Sequence, residues 1–156
     1  MLAEASLDWE LAGGGNVLDA DWQRFWFSTL TDAARPWTSL TLMASSGSAD
    51  LTTVAERIAA VAREHGVVAV TVLAARGIAA AEVPGLIARL TALSAEGTRV
   101  IVVADSPAEN PAIIPLIRAT SAVLLVVRIG ESTVQANREM VDAIDRSKII
   151  GSIVIS

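Results

Sequence analysis

Apolar positions along this chain alternate between spaced stripes and unbroken runs. From Asp19 the spacing is helical, with Trp22, Phe25, Trp26, Thr29 and Leu30 falling at i, i+3, i+4, i+7 and i+8. Pro36 stops that helix. Leu40–Ala44 is a short apolar run, read as a first strand, and the polar loop Ser45–Asp50 follows it. Leu51–His65 places Val54, Ile58, Val61 and Ala62 on one helical face, and Gly66 closes it. Val67–Leu73 is β-branched and reads as a buried strand. Leu86–Ala95 is helical up to Gly97, and Val100–Ala104 is the next strand. The two prolines of Asn110–Arg118 predict a short or broken helix. Val123–Val127 is a strand, Thr133–Arg146 a helix and Ile149–Ile155 the last strand.

Strands that read as continuous apolar runs are buried on both faces. Alternating with helices, they predict an α/β fold of three layers, α/β/α, around a mainly parallel sheet of right-handed crossovers. Ligands of such sheets bind at the carboxyl ends of the strands, here Ala44–Asp50, Ala74–Gly77, Asp105–Pro107 and Arg128–Glu131. Residues 1–18, ending in Gly13-Gly14-Gly15-Asn16, are expected to form a loose tail, and residues 19–156 a single domain with no internal repeat.

Composition narrows the chemistry. A net charge of −5 disfavours nucleic acid and direct docking on an anionic membrane. Without Cys there are no disulfides, thiolate nucleophiles or Cys-ligated metals, and without Tyr there is no phosphotyrosine. Lys148 is the only lysine and His65 the only histidine. The N-terminus is acidic, unlike a signal peptide. Apolar runs such as Val67–Ala75 are about half the ~18 residues of a membrane span. These features predict a cytoplasmic protein without membrane insertion.

Ser45–Asp50 lies where a phosphate-binding loop belongs, between a strand and the helix that Thr52-Thr53-Val54-Ala55 opens. Such a loop wraps backbone N–H groups around phosphates and sends a Lys to the β/γ oxygens. Here Leu51 holds the Lys position, Gly47 is the one loop glycine, beside Ser48, and Asp50 sets a carboxylate where phosphate would lie. Asp50 is also suited to cap the helix amides. Asp105, closing Val102-Val-Ala-Asp-Ser-Pro107, has the Walker B placement that holds Mg²⁺ through water, but with no partner lysine the favoured reading is a cap for the following turn.

The stretch Val100–Ser156 resembles the second half of the deviant-Walker P-loop ATPases, and within them the cytoplasmic ATPase domain of bacterial capsular and exopolysaccharide tyrosine autokinases. The residues that carry the resemblance are Val102–Pro107, Val123-Leu-Leu-Val-Val-Arg128, Glu131-Ser-Thr133 and Ile150–Ser156, with Arg24, Phe25 and Leu30 upstream. Against the family pattern, the P-loop Lys is Leu51, the upstream signature Lys has no counterpart, and no carboxylate stands in Ala74-Ala75-Arg76. Ser156 replaces the base-reading Asn, and the tyrosine-rich tail is missing. The resemblance therefore implies a pseudoenzyme with no catalytic residue, no cofactor and no metal. Its phosphate-loop region (Gly47, Ser48, Asp50, Leu51, Thr52, Thr53) and Walker B residue Asp105 would be vestigial.

The resemblance further implies docking on a membrane polysaccharide co-polymerase or another secretion component, which would bring the protein to the inner membrane through that partner. Self-association stays open. All four tryptophans precede the first strand. Trp is enriched at interface hot spots, so Trp22, Trp26 and Trp37 are candidate partner anchors, with core packing as the alternative. Two other functions remain: a nucleotide-binding ATPase or kinase with an unusual loop, and a flavodoxin-like FMN carrier using Ser45-Ser46-Gly47-Ser48. No aromatic residue after Trp37 stands at a later strand end to hold a flavin.

Overall fold

The computed structural model describes residues 3–7, 16–31, 37–44, 50–128 and 134–155. Six strands form one sheet: β1 (Ala3–Leu7), β2 (Ser39–Ala44), β3 (Val70–Ala74), β4 (Arg99–Ala104), β5 (Ala122–Arg128) and β6 (Ile149–Ile155). Their spatial order is β1-β6-β5-β2-β4-β3 and every neighbouring pair is parallel. The helices are α1 (Asn16–Phe25), α2 (Leu51–Glu64), α3 (Val83–Ala95), α4 (Ile114–Ala119) and α5 (Val134–Asp142). A π-helical turn, Trp26–Leu30, extends α1.

Side-chain alternation along the strands sorts the core into two halves. Leu40, Leu42, Ile101, Val103, Leu124 and Val126 meet α1 and α2 on one face. Met43, Val100, Val102, Val123 and Leu125 meet α3, α4 and the end of α5 on the other. This is the three-layer arrangement that buried strands alternating with helices demand, and β2 is central in it, flanked by β5 and β4. No described helix is long and apolar enough to cross a membrane.

Local stops follow the expected chemistry. Gly66 and Gly97 take φ of +88° and +84° after α2 and α3. Val67 N–H donates to Ala62 O at 3.0 Å and Thr98 N–H to Leu93 O at 3.0 Å, the six-to-one bonds of Schellman caps. The cap corrects the expected start of β3. Val67 is still bonded to the helix, so the strand begins at Val70, and Val68 is 96% exposed. The two prolines split Asn110–Arg118 into a 3₁₀ turn, Pro111–Ile113, and the short α4.

The N-terminal segment also departs from expectation. Residues 3–7, read as part of a loose tail, form β1 and extend the sheet along β6, from Ala3 beside Gly151 to Leu7 beside Ile155. An edge strand draws its stability from backbone bonds to its neighbour, which side-chain patterning does not report.

Candidate functional site

The carboxyl edge of the sheet is where the candidate residues gather. Leu51 is the first residue of α2, and its side chain is 2% exposed within the core cluster that includes Val54, Ala55 and Ile58. A lysine that reaches phosphate must leave this position toward the loop. Leucine instead turns inward, because burial of a side chain of this size is worth about 2–3 kcal/mol.

Asp50 caps α2. Its carboxylate accepts from Thr53 Oγ1 at 2.6 Å and Thr53 N–H at 3.2 Å. The Thr53 hydroxyl holds the Asp50 carboxyl below its ordinary value, helped by the Thr53 amide and by the field of Arg76, against a smaller opposing effect of burial. The ionised side chain thus takes a helix-terminal amide that a phosphate would otherwise use. Thr52 is exposed in the same turn. Gly47 and Ser48 lie outside the described residues, as do the rest of 45–49, Trp9, residues 131–133 and Ser156.

Asp105 follows β4. The register sets Met43 beside Ala104 and Ala74 beside Val103, so Asp105 emerges next to the end of β2 on one side and the end of β3 on the other. Its Oδ2 accepts from Gly77 N–H at 2.6 Å, and its Oδ1 meets Arg76 Nε at 3.4 Å. Gly77 has a φ of +68°, which glycine adopts without strain and which turns its amide toward the carboxylate. Both partners come from the stretch after β3. Sequence reading passed over Arg76 because only a missing carboxylate was sought there. A cation at the carboxyl end of a strand was the available signal.

The single lysine is remote from this edge. Lys148 Nζ donates to Arg118 O at 2.6 Å and Thr120 O at 3.0 Å, closing the end of α4 at the amino end of the sheet. Among the described residues no group of three His, Asp or Glu side chains converges as a metal site would.

The tryptophans proposed as partner anchors require correction. Trp22, Trp26 and Trp37 are 1%, 4% and 2% exposed and belong to the core between α1, α2 and the sheet. Trp37 Nε1–H donates to Leu30 O at 3.0 Å, and the Arg99 guanidinium lies 5.0 Å from its ring centroid. Trp26 stacks on His65 at 5.3 Å, and the His65 ring also meets Gln23 Oε1. Phe27 packs edge-on against the same ring and is itself 65% exposed. The buried face of α2 carries mainly Val and Ala side chains, and the tryptophans supply the bulk of the core beside it.

No family model matches the chain, and no curated protein matches it. Among solved structures, the kinase domain of the Escherichia coli tyrosine kinase ETK superposes with a TM-score of 0.69 at 14% identity, over 88% of this chain and 73% of that one. At this identity the likeness is one of fold. The chain shares the α/β/α, parallel-sheet fold of that kinase domain.

Proposed function

We propose that this chain is a non-catalytic, ATPase-like protein that acts by docking. It would be a degenerate relative of the capsular and exopolysaccharide tyrosine autokinases. Its partner would be a membrane polysaccharide co-polymerase or another component of a polysaccharide export machine. The observation that carries the non-catalytic half is Leu51, buried at the start of α2 where the family places its phosphate lysine. Two features support it. The Asp50 carboxylate is bonded to the first turn of α2, and the Walker B carboxylate Asp105 is committed to Gly77 and Arg76. Phosphoryl transfer depends on positioned cations at the β/γ oxygens, and the only lysine in the sequence is engaged at the other end of the sheet. The docking half rests on the resemblance of Val100–Ser156 to the autokinases and on the shared fold.

The test has two parts. Calorimetric titration with Mg-ATP is expected to give no binding heat, and phosphate release is expected to match an enzyme-free control. Turnover abolished by Asp105→Asn would instead establish an ATPase with an unusual loop. Co-purification with the cytoplasmic segments of a polysaccharide co-polymerase from the same gene neighbourhood tests the partner. Folded protein that fails to bind them would remove that assignment.

A further inference from the structure

The sheet ends at β3, which pairs with β4 on one side only. Two bonds near its ends fix which backbone groups face outward. Arg99 N–H donates to Ala69 O at 3.0 Å, and Ala75 N–H donates to Val103 O at 2.8 Å. In a parallel strand both backbone groups of one residue point to the same side, and successive residues alternate. Ala69, Thr71, Leu73 and Ala75 therefore serve β4. The N–H and C=O groups of Val70, Val72 and Ala74 face away from the sheet.

Such a row is a template for another strand. The side chains around it favour the addition. Val67–Ala75 contains no charged residue, no Pro and no Gly, the composition of segments that pair with copies of themselves. Val68 is 96% exposed, and Ala74 is exposed. The opposite edge strand, β1, has Glu4 within it, and a charge on the strand is one guard of a sheet edge. β3 has no such residue of its own.

One side chain reaches the row from outside the strand. Arg63, in the last turn of α2, donates from Nη2 to Val70 O at 3.1 Å. The bond spans the Gly66 turn that joins helix to strand. It occupies an outward carbonyl and sets a guanidinium at the amino end of the row, on the line that an added strand would follow. An apolar strand pairing there would desolvate that charge without supplying a partner, which is strongly unfavourable.

We propose that Arg63 guards this edge: its charge, held at Val70 O, keeps β3 from pairing with β3 of a second copy of the chain. Pairing of like with like is the association that the edge itself favours. An antiparallel pair centred on Val72 matches outward donors with outward acceptors, Val72 against Val72 and Val70 against Ala74 of the other copy. The inference is independent of the docking role, which uses neither Arg63 nor β3.

Arg63→Gln and Arg63→Met both remove the charge, the first keeping a donor for Val70 O and the second only the stem. Arg63→Lys keeps the charge. The full-length variants and wild type are compared by sedimentation velocity over a concentration series and by amide hydrogen exchange, with near-ultraviolet circular dichroism to confirm tertiary packing. Arg63→Gln and Arg63→Met are expected to self-associate at concentrations where wild type and Arg63→Lys do not. In the associated state their Val72 and Ala74 amides should exchange more slowly than in wild type. Losing the arginine moves the net charge from −5 to −6, which by repulsion alone opposes association. Arg146→Gln makes the same change at an exposed pair with Asp142 on α5 and should behave as wild type. Adding Ala74→Lys to Arg63→Gln returns a charge to the row and should restore wild-type behaviour. Three results would each overturn the proposal: folded Arg63→Gln and Arg63→Met that associate no more than wild type, association that leaves exchange at Val72 and Ala74 unchanged, or equal association by Arg63→Lys.

Discussion

If the chain is the degenerate relative proposed above, replacing Leu51 by lysine supplies a phosphate-binding side chain, yet the packing around this position predicts that it damages the fold and leaves nucleotide unbound. Leu51 is 2% exposed. Truncation at such a site, as in Leu51→Ala, costs about 2–5 kcal/mol through lost transfer energy and the cavity left behind. For a chain of 156 residues, each kcal/mol lowers Tm by roughly 2–4 °C, so a loss of about 3 kcal/mol lowers it by roughly 6–12 °C. A lysine stem can run along the core and carry its ammonium to the sheet edge. There it would pair with the exposed Asp50, which returns only about 0–1 kcal/mol.

Urea denaturation at pH 7 reads the lost stability, and calorimetry with Mg-ATP reads the site. Asp50→Gly/Leu51→Lys removes the competing carboxylate as well. Wild-type stability together with tight Mg-ATP binding by Leu51→Lys alone would refute the reasoning, because the site would then be intact apart from one side chain.

Two further outcomes follow from the packing and capping. Asp50→Ala should cost about 0.5–2 kcal/mol as a lost N-cap. Because the folded carboxyl is held below its ordinary 3.8, that difference should persist above this value and shrink as pH falls through the lowered one; thermal melts from pH 7 to pH 2 that show a constant gap would contradict it. Trp26→Ala should destabilise the monomer by about 3–5 kcal/mol, whereas Phe27→Ala, at a side chain 65% exposed, should stay within about 0.5 kcal/mol. The reverse order in urea denaturation would return the tryptophan to the surface.

The strands that sequence made legible are those whose side chains face core on both sides. Leu40–Ala44, Val100–Ala104 and Ile149–Ile155 are runs with no polar face to present, and they appear within one residue of their expected bounds. Helix ends were legible at Gly66 and Gly97 because a left-handed cap demands a residue without Cβ. β1 was not, since Ala-Glu-Ala-Ser-Leu has little strand propensity and its pairing comes from the backbone of β6. The tryptophans misled because abundance was taken as surplus. Trp22, Trp26 and Trp37 fill space between two helices and a six-stranded sheet, and sequence gives the number of large side chains without the area they must cover.

The candidate site divides along the same physical line. The helix start at Leu51 and the cap at Asp50 could be read because their meaning is local. The commitment of Asp105 could not, because Arg76 and Gly77 lie 29 and 28 residues from it and only the parallel register of β3 on β4 brings them together. That register sets Arg76 beside Asp105, from where its charge also reaches Asp50. In an active P-loop site this edge would hold acidic groups and borrow its positive charge from lysine and Mg²⁺. Here the cation beside Asp105 is Arg76, from the stretch after β3. The carboxylates are satisfied by their own neighbours, Asp50 by Thr53 and Asp105 by Gly77 and Arg76.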